Sequence, residues 1–244
     1  MTRDAGISFD AVIFDCDGVL VDSEVLAIRG ERGALEQFGL VYSPEDYVRS
    51  FVGLHDRAFF AALRADYRAA HGRDAPEDFE DLVLEGRRRE RHLLQPVAGA
   101  DAALRAARAR FDRIGVASSS RAHFLQSKLE RTALYDLAAP HVYSADLVAE
   151  GKPAPDIFLY TADRLGVAPG RCLVLEDSEN GVRAGVAAGM TVWGFLGGGH
   201  IFAGHDARLL AAGAAETLAD FAAVMARLDG QLDDRGAPAP ASPL

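Results

Sequence analysis

Short apolar runs that stop abruptly at charged or hydroxyl residues recur along this chain. Ala11-Val12-Ile13-Phe14 stops at Asp15, Gly115-Val116-Ala117 runs into Ser118-Ser119-Ser120, and Leu173-Val174-Leu175 runs into Glu176-Asp177. Runs this short and this uniformly apolar suit strands buried on both faces. The pattern predicts strands at Ala11–Asp15, Arg113–Ala117, His141–Ser144, Cys172–Glu176 and Thr191–Phe195. Helical periodicity separates most of them. Asp101–Arg110 is rich in Ala, Leu and Arg, all good helix formers. His123–Arg131 carries Phe124, Leu125 and Leu129 at helical spacing. Asp156–Leu165 follows Pro155 and stops at Gly166, and Asn180–Ala188 stops at Gly189. Alternating strands and helices predict an α/β fold with a doubly wound parallel sheet. In such a sheet, ligands bind beyond the C-terminal strand ends.

One stretch breaks the alternation. From Ser23 to Leu94 the pattern is helical throughout: Glu24–Phe38 before Gly39, a capped start at Ser43-Pro44-Glu45-Asp46, then Asp56–Ala70 and Pro76–Leu94. This predicts an all-helical cap domain at 23–94, inserted into a core made of 1–22 plus 95–235 and placed to cover the first strand end as a lid. The Ala- and Pro-rich segment 236–244 has too little apolar content to pack and is expected to be disordered.

A formal net charge of −10 over 244 residues argues against nucleic acid or an anionic membrane as a main partner. An anionic small molecule would need local cations to hold it. No run approaches the roughly 20 apolar residues of a membrane span, and no secretory signal is visible at the N-terminus. Cys16 ends the first strand and Cys172 starts another. In a parallel sheet those ends lie roughly 16 Å apart, beyond the reach of a disulfide. Two free thiols are expected, in a reducing cytoplasm. A monomer is the simplest expectation for the oligomeric state.

The chemistry begins with Asp15 and Asp17. Residues i and i+2 of a strand share a face, so two carboxylates leave the strand end side by side and repel. A cation or a shared proton between them makes the pair tolerable. A parallel sheet brings Asp15, Asp17, Ser118, Ser119, Lys152, Glu176 and Asp177 to one edge. Four carboxylates suit a hard cation such as Mg2+, while Lys152 and the serines can hold phosphate oxygens. The set points to phosphoryl transfer. One aspartate would attack phosphorus, and the other would protonate the leaving oxygen and then deprotonate water. Taken singly, Ser118 reads as a helix cap, Lys152 as a surface lysine, and Glu176 or Asp177 as a cap of the next helix. Cys16 is directed by strand alternation away from the aspartate face.

Four segments in order, Phe14-Asp15-Cys16-Asp17-Gly18-Val19-Leu20-Val21-Asp22-Ser23-Glu24, Val116-Ala117-Ser118, Gly151-Lys152-Pro153-Ala154-Pro155-Asp156 and Leu175-Glu176-Asp177-Ser178-Glu179-Asn180-Gly181, resemble the motifs of the haloacid dehalogenase superfamily. The nearest subgroup resembles the β-phosphoglucomutase-like phosphatases with a helical cap. The resemblance implies a magnesium-dependent phosphatase of a small phosphorylated metabolite, such as a sugar, sugar-acid or polyol phosphate. It implies Asp15 as nucleophile and Asp17 as acid/base, with Ser118 and Lys152 on the phosphoryl group. Magnesium would lie on Asp15, the backbone carbonyl of Asp17, Glu176 and Asp177. Val52-Gly53-Leu54-His55-Asp56-Arg57 resembles the family's specificity loop, which makes His55 and Arg57 candidate substrate contacts. Of Arg87, Arg88 and Arg89, at least two are expected to be exposed, which leaves at most one cation for the site. Gly197-Gly198-Gly199-His200 and His205 read as an ordinary loop rather than a zinc site. The mutase branch, the main alternative, carries a histidine twelve positions after the nucleophile; Ala27 stands there, and Asp56 stands where its cap arginine is expected. Asp17 argues against a halide-removing enzyme, and the absence of lysine from 23–94 argues against a phosphonate hydrolase. A non-catalytic metabolite-binding protein is the remaining rival.

Overall fold

A computed structural model describes residues 9–51, 54, 56–111 and 113–233. β1 (Ala11–Phe14), β2 (Arg113–Ser118), β3 (Val142–Ser144), β4 (Cys172–Glu176), β5 (Thr191–Phe195) and β6 (Glu216–Leu218) form one sheet in the order β3-β2-β1-β4-β5-β6. Every pairing is parallel. All five expected strands match to within a residue at either end, with β3 beginning one residue later than read. β6 was not anticipated, because a three-residue edge strand offers no period to read.

Strand alternation divides the core into two layers. Val12 and Phe14 of β1 pack with Leu104 of α5 (Ala100–Arg110) and with Phe221, Val224 and Leu228 of α11 (Phe221–Asp233). Ala11 and Ile13 face the other way, towards Ile157, Phe158 and Leu165 of α8 (Asp156–Leu165) and Val182 of α9 (Glu179–Ala187). β1 therefore shows water neither face, which is why it reads as an unbroken apolar run. Both cysteines are free and buried, and Cys16 packs on the α5 and α11 side.

The stretch after β1 is helical, as expected, with corrected boundaries. α1 (Ser23–Glu36) ends two residues early, before Gly39 takes a φ of +74°. α2 (Pro44–Phe51) starts behind Ser43, whose hydroxyl accepts the Asp46 N–H at 3.0 Å. α3 spans Asp56–His71. The expected single helix Pro76–Leu94 is two elements, α4 (Phe79–Arg89) and a 3-10 turn at Arg91–Leu93, because the backbone leaves helical geometry at Glu90. These helices enclose an apolar cluster of their own, with Tyr47, Phe51, Leu63, Phe79 and Val83 at its centre. α1 and α4 cross so closely that a Cβ on Gly30 would sit 2.1 Å from the Gly86 carbonyl oxygen. Buried Glu31 spans the same contact, accepting from Tyr47 Oη at 2.7 Å and pairing with Arg87.

Past β2 come α6 (Ala122–Arg131) and α7 (Tyr135–Ala138), and past β5 comes α10 (His205–Ala212). α7, α10 and α11 went unassigned in the sequence. Segment 236–244 lies outside the described residues.

Candidate active site

The register of β1 builds the site. Phe14 pairs with Leu175 on one side and Val116 on the other, so Asp15 lies level with Glu176 and Ala117. The Asp15 N–H donates to the Leu175 carbonyl at 2.9 Å, which carries the ladder one residue past the strand. Lys152, on the loop after β3, reaches this point and donates to Asp15 Oδ1 at 2.5 Å, Glu176 Oε1 at 2.7 Å and the Ala117 carbonyl at 3.1 Å. Its side chain is only 4 % exposed. The ammonium also lies 4.8 Å from the centre of the Phe158 ring. Lys152 is thus a buried cation rather than a surface lysine.

Asp15, Glu176 and Asp177 each offer an oxygen, all within 4.8 Å of one another, and all three residues are buried. Burial raises the Asp15 carboxyl well above the ordinary range; Lys152 pulls it down, while Glu176, Asp177 and Asp17 push it further up. Burial raises Glu176 as well, against Lys152. Burial alone would lower Lys152, but Asp15 and Glu176 outweigh it and hold the ammonium charged. Three carboxylates around one ammonium leave negative charge uncompensated, which is the environment a divalent cation satisfies.

Asp17 sits differently. Its carboxylate accepts from Lys128 and Ser23 and, at 2.7 Å, from Ser120 Oγ. Burial would raise its carboxyl, but Lys128 and the three hydrogen bonds prevail and hold it below the usual range. Asp17 has no side-chain oxygen in the three-carboxylate group. Just past Asp17 the chain turns at Gly18, where φ is +82° and a Cβ would lie 1.9 Å from Asp177 Oδ2. Only glycine fits that turn. Cys16 is fully buried, and burial raises its thiol far above an ordinary cysteine.

The other expected residues fall into three groups. Ser118 is fully buried at the end of β2, and its hydroxyl accepts the Ser120 N–H at 3.0 Å, so it braces the turn that aims Ser120 at Asp17. Ser119 is exposed at the same turn. Arg57 is exposed at the start of α3, while Val52, Gly53 and His55 lie outside the described residues. Arg88 and Arg89 are exposed, as at least two of the three were expected to be, and Arg87 faces inward.

The triple-glycine loop is more than a connector. His200 Nε2 lies 3.0 Å from Asp177 Oδ2, and His205 Nε2 lies 2.6 Å from the Asp177 carbonyl. The Gly199 N–H donates to Asp22 Oδ1 at 3.0 Å. The loop thereby fixes Asp177 and the turn behind Gly18. Lys128, Ser120, Ser23 and His200 were missed as site residues. Ser23 stood inside the first motif and Ser120 in the serine run that ends β2, but nothing local marked their hydroxyls as partners of Asp17.

A cavity of about 410 Å³ opens beside Asp17, walled by α1, the α4 end with its 3-10 turn, and α6. Ala27 lies in its wall. A second, of about 230 Å³, lies on the Asp177 side between Val48, Leu54 and the α9 start.

Residues 9–189 match the haloacid dehalogenase-like hydrolases. The chain belongs to that family. It is 34 % identical to the phosphorylated carbohydrates phosphatase of Thermotoga maritima over 182 residues, 74 % of this chain and 82 % of that one. It is 29 % identical to the fructose-1-phosphate phosphatase of Escherichia coli over 75 % of this chain and 94 % of that one. Among solved structures, a haloacid dehalogenase family hydrolase of Deinococcus radiodurans, crystallised with bound phosphate and sodium, is 35 % identical. It superposes with a TM-score of 0.83, covering 92 % of this chain and 97 % of that one. The family resemblance read from the four motifs holds. Among the described residues no helix is long and apolar enough to cross a membrane.

Proposed function

We propose that this hydrolase is a magnesium-dependent phosphatase of small phosphorylated carbohydrates, working through an aspartyl-phosphate. The observation that carries the reading is the division of labour at the end of β1: Asp15 points into the buried carboxylate group beside Lys152, and Asp17 is held by Lys128, Ser23 and Ser120, which line the larger cavity. The name of the Thermotoga relative supports the substrate class.

Asp15 Oδ2 and Asp177 Oδ1 have no protein hydrogen bond among the described residues, whereas both Glu176 oxygens are held, one by Lys152 and one by Ser178. Asp15 and Asp177 are therefore the ligands with an oxygen to spare for Mg2+. Glu176 completes the charge, and Asp17 has its backbone carbonyl to offer. The ion would lessen the repulsion between carboxylate and phosphate. Lys152, with Ser118 and Ser119 nearby, would hold the phosphoryl oxygens.

Asp15 attacks phosphorus and the P–O bond to the sugar breaks. The leaving oxygen takes a proton from Asp17, whose carboxyl is pushed up as the phosphate dianion approaches. Asp17, then ionised, takes a proton from water, which attacks the aspartyl-phosphate and releases inorganic phosphate. Ala27 in the cavity wall, rather than histidine, favours water as the acceptor over a second sugar. Helices 23–94 act as the cap over the 1–22 plus 95–235 core. The free thiols of Cys16 and Cys172 support a cytoplasmic setting.

The test is phosphate release from a panel of sugar, sugar-acid and polyol phosphates. Release is expected with Mg2+, loss with EDTA, and recovery when Mg2+ is restored. Release indifferent to EDTA would remove the metal from the reading. Binding without release would make this a non-catalytic sensor.

A further inference from the structure

The cavity beside Asp17 has an imbalance of charge. One face of α6 lines it with Phe124, Ser127, Lys128 and Arg131, at the i, i+3, i+4, i+7 spacing of a single helical side. Arg91 reaches in from the turn after α4, and Arg121 from the residue before α6. Lys128 is committed to Asp17, and Arg87 to Glu31. Arg91, Arg121 and Arg131 have no carboxylate partner among the described residues, and Glu24 is the sole acidic residue in the wall. The Arg91 guanidinium is instead laid over the Phe124 ring, 4.9 Å from its centre. Burial lowers Arg91 and the neighbouring Arg88 and Arg87 lower it further, and no carboxylate among the described residues answers its charge.

Surface arginines are common, but three unpaired ones around a single concavity stand out in a chain of net charge −10. The cavity also lies on the Asp17 side, where the leaving group must sit if Asp17 protonates it. Arginine's planar fork matches a carboxylate or a phosphate in two parallel hydrogen bonds.

We infer that the preferred substrate carries a second anionic group, a carboxylate or a further phosphate, on the part of the molecule that leaves, and that Arg91, Arg121 and Arg131 hold it. This rests on the phosphatase reading and narrows it to phosphorylated sugar acids or sugar bisphosphates over neutral polyol and sugar monophosphates. Arg91 and Arg131 act as specificity residues. Glu24 lines the same cavity from α1.

Matched pairs test it. 6-Phosphogluconate and sorbitol 6-phosphate differ at the far carbon only by carboxylate against hydroxymethyl. Fructose 1,6-bisphosphate and fructose 1-phosphate differ by the second phosphate. Binding of all four to the Asp15→Asn protein is measured by calorimetry with Mg2+, and kcat/KM is measured on the wild-type protein. At least one doubly anionic member should bind about tenfold more tightly than its neutral partner, the effect of one or two charge-assisted hydrogen bonds. The preferred pair identifies the group as carboxylate or phosphate. In Arg91→Ala and, separately, Arg131→Ala, the ratio within that pair should collapse towards one. Equal affinity within both pairs overturns the inference, as does a preference that survives both substitutions. If the charged probes bind preferentially but the wild-type protein hydrolyses none of the four or the wider panel, the phosphatase reading fails and the anion site stands.

Discussion

Asp15 and Asp17 are the same residue type, two positions apart, on one short stretch of backbone, yet their surroundings oppose each other. Asp15 faces two more carboxylates and shares one ammonium with Glu176, so its charge is resisted. Asp17 keeps a lysine to itself, with two serine hydroxyls, so its charge is favoured. The first surrounding leaves a place for a metal ion and an attacking oxygen. The second leaves a carboxylate that releases its proton readily. What distinguishes the two is which elements converge on each: β4 and the loop after β3 on Asp15, α1 and α6 on Asp17.

The largest effect should come from removing the more crowded charge. Asp15→Asn should cost at least about 10³-fold in kcat, because an amide does not attack phosphorus. The same change removes one of three mutually repelling buried carboxylates, so Tm at neutral pH should be equal or higher. Ordinary turnover by the variant would end the aspartyl-phosphate mechanism.

Lys128→Met attacks the other side. Without its cation, Asp17 rises towards and above the ordinary carboxylate range. Steps that need it ionised should then fail at a higher pH than in the wild type. We expect about 10-fold to 10²-fold lower kcat at pH 7, with the acid limb of the rate profile displaced upward. An unmoved acid limb would show that Lys128 does not set the protonation of Asp17.

The smallest effect concerns Glu24, on the cavity wall beside Asp17. Burial and the Asp17 carboxylate raise it to about 7, against an ordinary 4.5. Its ionised form is therefore disfavoured by folding. That penalty is absent below the ordinary value and complete above about 7. Glu24→Gln removes it, so the variant should gain about 2 kcal/mol more stability at pH 8 than at pH 5. Thermal unfolding at the two values checks this, and an equal or reversed gain would place Glu24 in an environment unlike the one described.

Much of this was legible in the chain. The sheet was, because strands buried on both faces are written as apolar runs and a parallel sheet must gather their polar ends on one edge. That argument placed Asp15, Lys152, Glu176 and Asp177 together before any coordinates. It also separated the helical stretch 23–94 from the alternation. Local chemistry could not show where Pro76–Leu94 breaks, since Glu90 is a good helix former and the break follows from how the chain returns towards β2. β6 escaped because a three-residue edge strand gains its order from its neighbour, not from its own pattern.

The order of strands and the approach of the acidic residues to Lys152 follow from burial and connectivity, which act along the chain. The pairing of Asp17 with Lys128, 111 residues away, and of Asp177 with His200 depends on how helices and loops pack over the sheet edge. No local spacing encodes that. The three arginines left without partners around the cavity are likewise visible only once every nearby carboxylate has been placed, because whether a charge is answered depends on its neighbours in space rather than in sequence.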